Sequence, residues 1–348
     1  MNSVCYLDWN ATTPLRPEAR AAMIEAMDVV GNPSSVHSAG RAAKALLERA
    51  RAQVATALGA EGQDVIFTSG ATEAAALVLA GQGYHCAGVE HDAVRSWCVE
   101  DLVVDHAGRI TVVNPGRACV QLANSETGVI QDLPEGVAVS DLTQAFGKIP
   151  FAFNWLGLTA GIVSAHKLGG PKGIGALIVK RGTEIAAQLK GGGQEMGRRA
   201  GTENLIGIAG FGAAAQAASR DLESGIWQNV EKLRNVLENI IADRAKDTIF
   251  VGNESRRLSN TSCFITPGWK GETQVMQMDL GGFAVSAGSA CSSGKVRASH
   301  ALQAMGFDAE AGLCALRVSL GPDTREEDVL RFAEYWLKCE GKHRARRG

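Results

Sequence analysis

The chain has 348 residues, 45% hydrophobic and 21% charged, with a formal net charge of -2. That is an ordinary globular balance, long enough for two units around one large sheet; it argues against nucleic acid or a membrane surface as a general partner, and no apolar run is long enough to span a bilayer. Eight cysteines are scattered without CxxC pairs or zinc spacings, and the N-terminus lacks a basic segment followed by an apolar core, so the expectation is a cytoplasmic protein with free thiols.

In chain order, YLDWNATTP (6–14) reads as a short extended piece ending in a polar turn, and 17–27 has the apolar spacing of a helix. GNPSSVH (31–37) is a loop by its turn chemistry, and 41–58 is a second helix with Glu and Arg at turn spacing. The strand 64–67 runs into the small-residue turn TSGATE (68–73) and an apolar helix over 74–80. Free amides at such a helix start, aided by the helix dipole, favour an anion such as phosphate; an N-cap by Ser69 or Thr72 is the plainer alternative. His91 stands between a weak strand and a helix, either structural or stacked on a flat heteroaromatic ring. Strands over 119–123 and 137–139 end in polar turns, and Asp141 follows the second, where open α/β sheets place ligand contacts. It is either a helix cap or a carboxylate that keeps a pyridine nitrogen protonated.

SAHKLGGPKG (164–173) places Lys167 after the apolar pair Ile162 and Val163 and before three glycines. An amine at the end of a buried strand suits a Schiff-base lysine, with the Ser164 hydroxyl and His166 imidazole beside it for a phosphate-bearing cofactor. On these residues alone, a surface lysine in a Gly-rich turn is equally open. A strand over 174–179 follows, then the basic-centred loop 191–204, either a surface connection or an arm reaching a neighbouring subunit. Helices over 207–218 and 228–244 come next, the second reading as a connector between domains. From about 248 onward a second, α+β unit is expected: strands over 249–251, 262–265, 283–286 and 316–321, and helices over 272–280, 299–305 and 325–338. Within it Cys291, set among small polar residues and glycines, reads as an exposed thiol, reactive where its pKa is lowered. Arg317 in an apolar strand asks for a carboxylate partner, and the basic tail 342–347 reads as solvated.

Read together, YLDWNATTP, GNPSSVHSAGR, FTSGATE, EHDAV, ANSETGVIQ, SDLTQAFGKIP, SAHKLGGPKGIGAL, GGGQEMGRRAGTEN, VSAGSACSSG and LRVSLG resemble a cysteine desulfurase of the class V aminotransferase family, in family order from residue 6 to about 321. The resemblance implies fold type I, an α/β protein with a three-layer αβα large domain on a mostly parallel sheet (12–245). A smaller α+β domain (246–348, with 1–11) would carry the Cys291 loop. It implies pyridoxal 5'-phosphate carried on Lys167. Ala71, Thr72, Ser164 and His166 would bind its phosphate, with Thr202 reaching the phosphate of the neighbouring subunit in a homodimer. His91 would stack on the ring, Asp141 would pair with the pyridinium nitrogen and Gln144 with the phenolic oxygen. Arg317, helped by Asn32, would hold the carboxylate of L-cysteine. Lys167 would move the Cα proton and the Cys291 thiolate would accept the sulfur. Alanine would leave, and the persulfide would pass to an acceptor or scaffold protein of iron–sulfur cluster assembly or another sulfur pathway.

The chain departs from that pattern in places. Ser125 replaces the second of two asparagines, Ser140 stands where a histidine is common, and Ala74 and Ala75 replace polar residues. Only twelve residues (129–140) separate the ANSETG turn from Asp141, where the family has a helix, and the segment 102–119 is also short. These gaps predict a thinner face on the large domain. The alternatives are a trimmed paralogue acting as a binding subunit and a selenocysteine lyase-like enzyme.

Overall fold

The structure is a computed structural model that describes residues 4–288 and 298–346. The first elements are β1 (Cys5–Tyr6), α1 (Pro17–Met27) and α2 (Ser38–Ala57). Pro17 opens α1, where its missing N–H has no partner to lose. His37 caps α2 by accepting from the Gly40 amide at 3.2 Å, and Leu46, Leu47, Ala50 and Val54 fall at turn spacing on its buried stripe. Then come β2 (Asp64–Thr68), α3 (Ala71–Leu79), β3 (His85–Ala87), α4 (Asp92–Arg95), β4 (Val99–Val104) and β5 (Ile110–Thr111). They are followed by β6 (Val139–Asp141), α5 (Phe153–Leu156), β7 (Ala160–Ser164) and β8 (Gly175–Val179).

These strands make one twisted layer in the order β2-β8-β7-β6. β8 is antiparallel to β2 and β7, while β6 and β7 are parallel, so β2, β7 and β6 point the same way. Parallel bridges from Cys119 to Val139 and from His85 to Ala118 carry the layer on to β3 and its parallel neighbour β4. The sheet is therefore mostly parallel, as the resemblance implies. Neighbouring residues along each strand face opposite sides. Phe67, Val163 and Ile178 join the core under α2 and α6 (Leu205–Ser224), whereas Ile66, Ile162 and Leu177 join the core under α3. All residues of β7 and β8 are buried, as strands covered on both faces must be.

Gly225, in the left-handed conformation at φ 77°, ends α6 and starts α7 (Ile226–Arg244). The remaining elements are β9 (Ile249–Phe250), β10 (Thr261–Ile265), α8 (Gly271–Leu280), β11 (Phe283–Ala284), β12 (Ser286–Ala287), α9 (His300–Ala304), α10 (Ala309–Leu313), β13 (Ala315–Ser319) and α11 (Glu326–Ala345). A second, antiparallel sheet runs β12-β13-β10-β9. One face packs Phe264, Leu316 and Val318 against Trp227, Phe332 and Trp336 of α7 and α11. The N-terminal segment belongs to this half: β1 pairs with β11, and Asp8 bridges to Ser319.

Three expectations change. The strand read over 283–286 is two, because Phe283–Ala284 pairs with β1 and Ser286–Ala287 with β13. The 119–123 segment makes only bridges, although the Val120 and Leu122 amides still donate to Val139 and Asp141. The helix read over 325–338 runs on to Ala345, carrying the basic residues Lys342 and Arg344, which are exposed as expected, while His343 stacks on Trp269 with ring centroids 5.4 Å apart. The shortened stretch 129–138 has no helix, and Ser140 and both alanines at 74 and 75 are buried, Ser140 donating to the Val120 carbonyl.

Candidate active site

β7 ends at Ser164, and one short turn of 3-10 helix, Ala165–Lys167, then delivers Lys167 into a cavity of about 1290 Å³. The cavity lies beyond the carboxyl ends of β2, β6 and β7, where parallel strands leave room for a ligand. The Lys167 Nζ donates to the carbonyls of Asn10 at 2.6 Å and Ala11 at 2.9 Å. Burial, then the Arg317 guanidinium, push its pKa down to about 8, against the pull of Asp141 and Asp8.

The turn after β2 brings Gly70, Ala71 and Thr72 to the cavity wall at the start of α3, opposite Ser164 and His166. A Cβ built on Gly70 would project into open space, with only Ser164 Oγ within 4 Å, at 3.9 Å. Behind it Gly175 lets β8 approach, since a Cβ there would lie 2.7 Å from Gly70 Cα. Glu73 fixes the turn by accepting from the Ser69 amide at 2.7 Å and pairing with Arg199 at 2.8 Å. Burial, then Lys167 and Lys172, push the His166 pKa down to about 4, so its ring is neutral and faces Thr12 Oγ1 at 3.2 Å.

His91 caps α4 by accepting from the Ala93 amide at 3.1 Å, and its ring lines the cavity. Asp141, the last residue of β6, accepts from the Thr143 amide at 2.9 Å and also lines it, as does Gln144. On the opposite wall Arg317 has the carboxylate partner that its strand demands: Nη2 donates to Asp8 Oδ1 at 2.8 Å and Nη1 to the Ser125 carbonyl at 3.1 Å. Its Nε is buried without a partner among the described residues. Ser125 thus serves through its backbone.

The cavity therefore gathers Ala71, Thr72, His91, Asp141, Gln144, Ser164, His166, Lys167 and Arg317. Asn32 and Thr202 are not in its wall; both are exposed, and Asn32 accepts from the Ser34 amide of its own turn at 2.9 Å. Cys291 lies outside the described residues. Sequence reasoning missed Asp8, Asn10, Glu126 and Lys148. Asn10, fully buried, is the hub: its carbonyl takes Lys167 and Gln144, its Oδ1 takes Lys148 and Asn260, and its amide donates to Ser125 and Thr261. The only signals were that Lys148 shares the motif SDLTQAFGKIP with Asp141 and Gln144, and that Asp8, Asn10 and Glu126 lie inside motifs that carry the resemblance.

This donor set suits a phosphorylated pyridine aldehyde. Open amides at a helix start, a hydroxyl and a neutral imidazole suit the phosphate, the Gly70 cradle leaves space for it, and an amine and a carboxylate share the same cavity.

Comparison with known proteins agrees. The aminotransferase class-V family model matches residues 5–94 and 110–332. The chain is 35% identical to a cysteine desulfurase IscS of Dictyoglomus turgidum, over 94% of this chain and 92% of that one. It is 34% identical to an IscS-like cysteine desulfurase of Mycobacterium tuberculosis, over 94% and 93% of the two chains. A solved NifS-like protein from Rickettsia africae superposes with a TM-score of 0.87 at 32% identity, covering 96% of this chain and 99% of that one.

Proposed function

We infer that the chain, which belongs to the aminotransferase class-V family, is a pyridoxal-phosphate-dependent cysteine desulfurase. The observation that carries this reading is Lys167, whose Nζ is held by the carbonyls of Asn10 and Ala11 in a cavity also lined by Asp141 and Arg317. When bound, pyridoxal phosphate supplies an electron-accepting ring that stabilises negative charge at the substrate Cα. Ala71, Thr72, Ser164 and His166 hold its phosphate, Asp141 meets the ring nitrogen, Gln144 the phenolic oxygen, and His91 covers the ring. Lys167 holds the cofactor and, once released as an amine whose pKa is lowered to about 8, takes the Cα proton of L-cysteine in its deprotonated form. Arg317 orients the substrate carboxylate, which its Nε, without a partner among the described residues, favours; Asn32, exposed and outside the cavity wall, does not share in this.

Cys291 is the sulfur acceptor. Its thiolate attacks the substrate sulfur, an S–S bond forms as the C–S bond breaks, and the carbon takes up protons to leave as L-alanine. Cysteine and one thiol thus give alanine and one persulfide, with no external oxidant. The persulfide then passes to an acceptor in iron–sulfur cluster assembly or a related sulfur route. The same reading makes the protein a cytoplasmic homodimer in which Thr202 reaches the partner subunit's cofactor phosphate. Among the described residues no helix is long and apolar enough to cross a membrane.

The purified protein is expected to be yellow and to release alanine from L-cysteine. Cys291→Ser should keep the colour and lose persulfide, read by mass spectrometry of the trapped thiol. A colourless protein that does not take up pyridoxal phosphate, or undiminished sulfide output from Cys291→Ser, would overturn the reading.

A further inference from the structure

We propose that Lys148 is a positioning residue that fixes which end of the Gln144 amide faces the cavity. A lysine ammonium has only donors, and a neutral lysine amine still has two N–H donors, one for each of the two oxygens Lys148 meets, whereas an amide side chain has one donor end and one acceptor end. Lys148 follows Gln144 by four residues, and the turn between them, with the Phe146 amide bonded to Leu142 and the Ile149 amide to Ala145, stacks the two side chains. The Lys148 Nζ donates to Gln144 Oε1 at 2.5 Å and to Asn10 Oδ1 at 3.0 Å. With Oε1 committed, Gln144 Nε2 must turn the other way, where it donates to the Asn10 carbonyl at 3.0 Å beside Lys167 Nζ. The cavity wall thus presents an N–H donor rather than a carbonyl.

The arrangement is costly, which argues that it is retained for a purpose. Lys148 is 4% exposed, and no carboxylate pairs with it among the described residues. The charged and titratable groups around it, Lys167, Arg317 and His166, are all basic. Burial and the first two drive its pKa well below the ordinary lysine range. An apolar residue of similar length would avoid that desolvation, but would leave the sense of the Gln144 amide open.

This inference rests on the proposed function, in which Gln144 meets the anionic phenolic oxygen of the cofactor. A donor facing an anion holds it; a carbonyl repels it. The test is a thermodynamic cycle on pyridoxal-phosphate affinity, read by visible absorbance as the cofactor-free full-length protein is titrated. Lys148→Met and Gln144→Ala are each expected to weaken binding by about tenfold, with the double variant no weaker than either single one. Lys148→Gln, which keeps an NH₂ donor, should stay within about threefold of wild type, and it provides the readout should Lys148→Met not fold. Losses that multiply to about a hundredfold, a Lys148→Met protein that binds as wild type does, or a tenfold loss in Lys148→Gln would overturn the inference and leave the cofactor reading standing. Failure of the wild-type protein to bind pyridoxal phosphate would overturn both.

Discussion

Glu126 shows how one side chain in this cavity couples charge to stability. Its Oε2 accepts from Ser299 Oγ at 2.6 Å, and Ser299 caps α9 through the Leu302 amide. Burial raises the Glu126 pKa to about 7, with Asp92 adding to the rise and Ser299 and Arg317 opposing it. Between pH 4.5 and 7 the folded protein holds this proton more tightly than the unfolded chain does. Stability from this group is therefore present at low pH and lost as pH rises through about 7. Glu126→Gln removes the titration and keeps an acceptor for Ser299. The variant is expected to be more stable than wild type at pH 8 by about 1 kcal/mol, with the advantage gone at pH 5, as urea melts at the two pH values will show. An advantage independent of pH would rule out the titration as its source. Residues of this kind were not legible in the sequence. Lys167, Asp141 and Arg317 were, because each stands at a strand end or in an apolar run where a charged group is out of place. Glu126 and Lys148 owe their behaviour to neighbours distant in the chain, such as Ser299 and Asn10.

Among elements, α1 and α7 were read to within two residues because their pattern is written locally, while α6 and α11 run six and seven residues past the ends read for them; the strand at 283–287 changes partner midway, a choice made by segments far away. The segment 191–204 was read only as a long loop, and it is held by ion pairs of Arg198 with Asp64 and Arg199 with Glu73 and by one buried contact. Glu195 is 5% exposed; its carboxylate takes Arg51 Nη1 at 2.7 Å, Arg51 Nη2 at 3.0 Å and the Phe67 amide at 3.0 Å. Glu195 and Met196 pass through the left-handed region, at φ 48° and 59°, which costs L-residues about 1 kcal/mol each. Arg51→Ala would leave a carboxylate buried without its cation against β2. A loss of about 3 kcal/mol is expected, read as a lower denaturation midpoint. Met196, 57% exposed, forms no comparable contact, so Met196→Gly should instead gain about 0.5 kcal/mol by relieving the backbone. If both variants melted like wild type, the carboxylate would not be what holds the loop.

At the scale of the molecule, the cavity needs both sheets: Lys167 and Asp141 come from the parallel one, Arg317 from the antiparallel one, and the N-terminal segment joins them. That segment carries Asp8, which pairs with Arg317, and Asn10, whose carbonyl holds Lys167. Its seating depends on Gly321, just beyond β13. A Cβ at that position would fall 1.9 Å from the Trp9 indole, which is 8% exposed, so the ring or the backbone that carries it must move. Gly321→Ala must therefore displace Trp9, and with it the residues on either side. The expected cost is about 2–3 kcal/mol of stability. Because Asp8 and Asn10 shift together, pyridoxal-phosphate affinity and the KM for cysteine should both worsen. Pairing it with Trp9→Ala, which removes the obstructing ring, provides the check. Trp9→Ala alone loses the packing, but Gly321→Ala on that background should add no further loss of cofactor affinity. If the two losses simply multiplied, Gly321 would be acting on the site by some route other than the indole, and the N-terminal segment would not be the link between the two sheets.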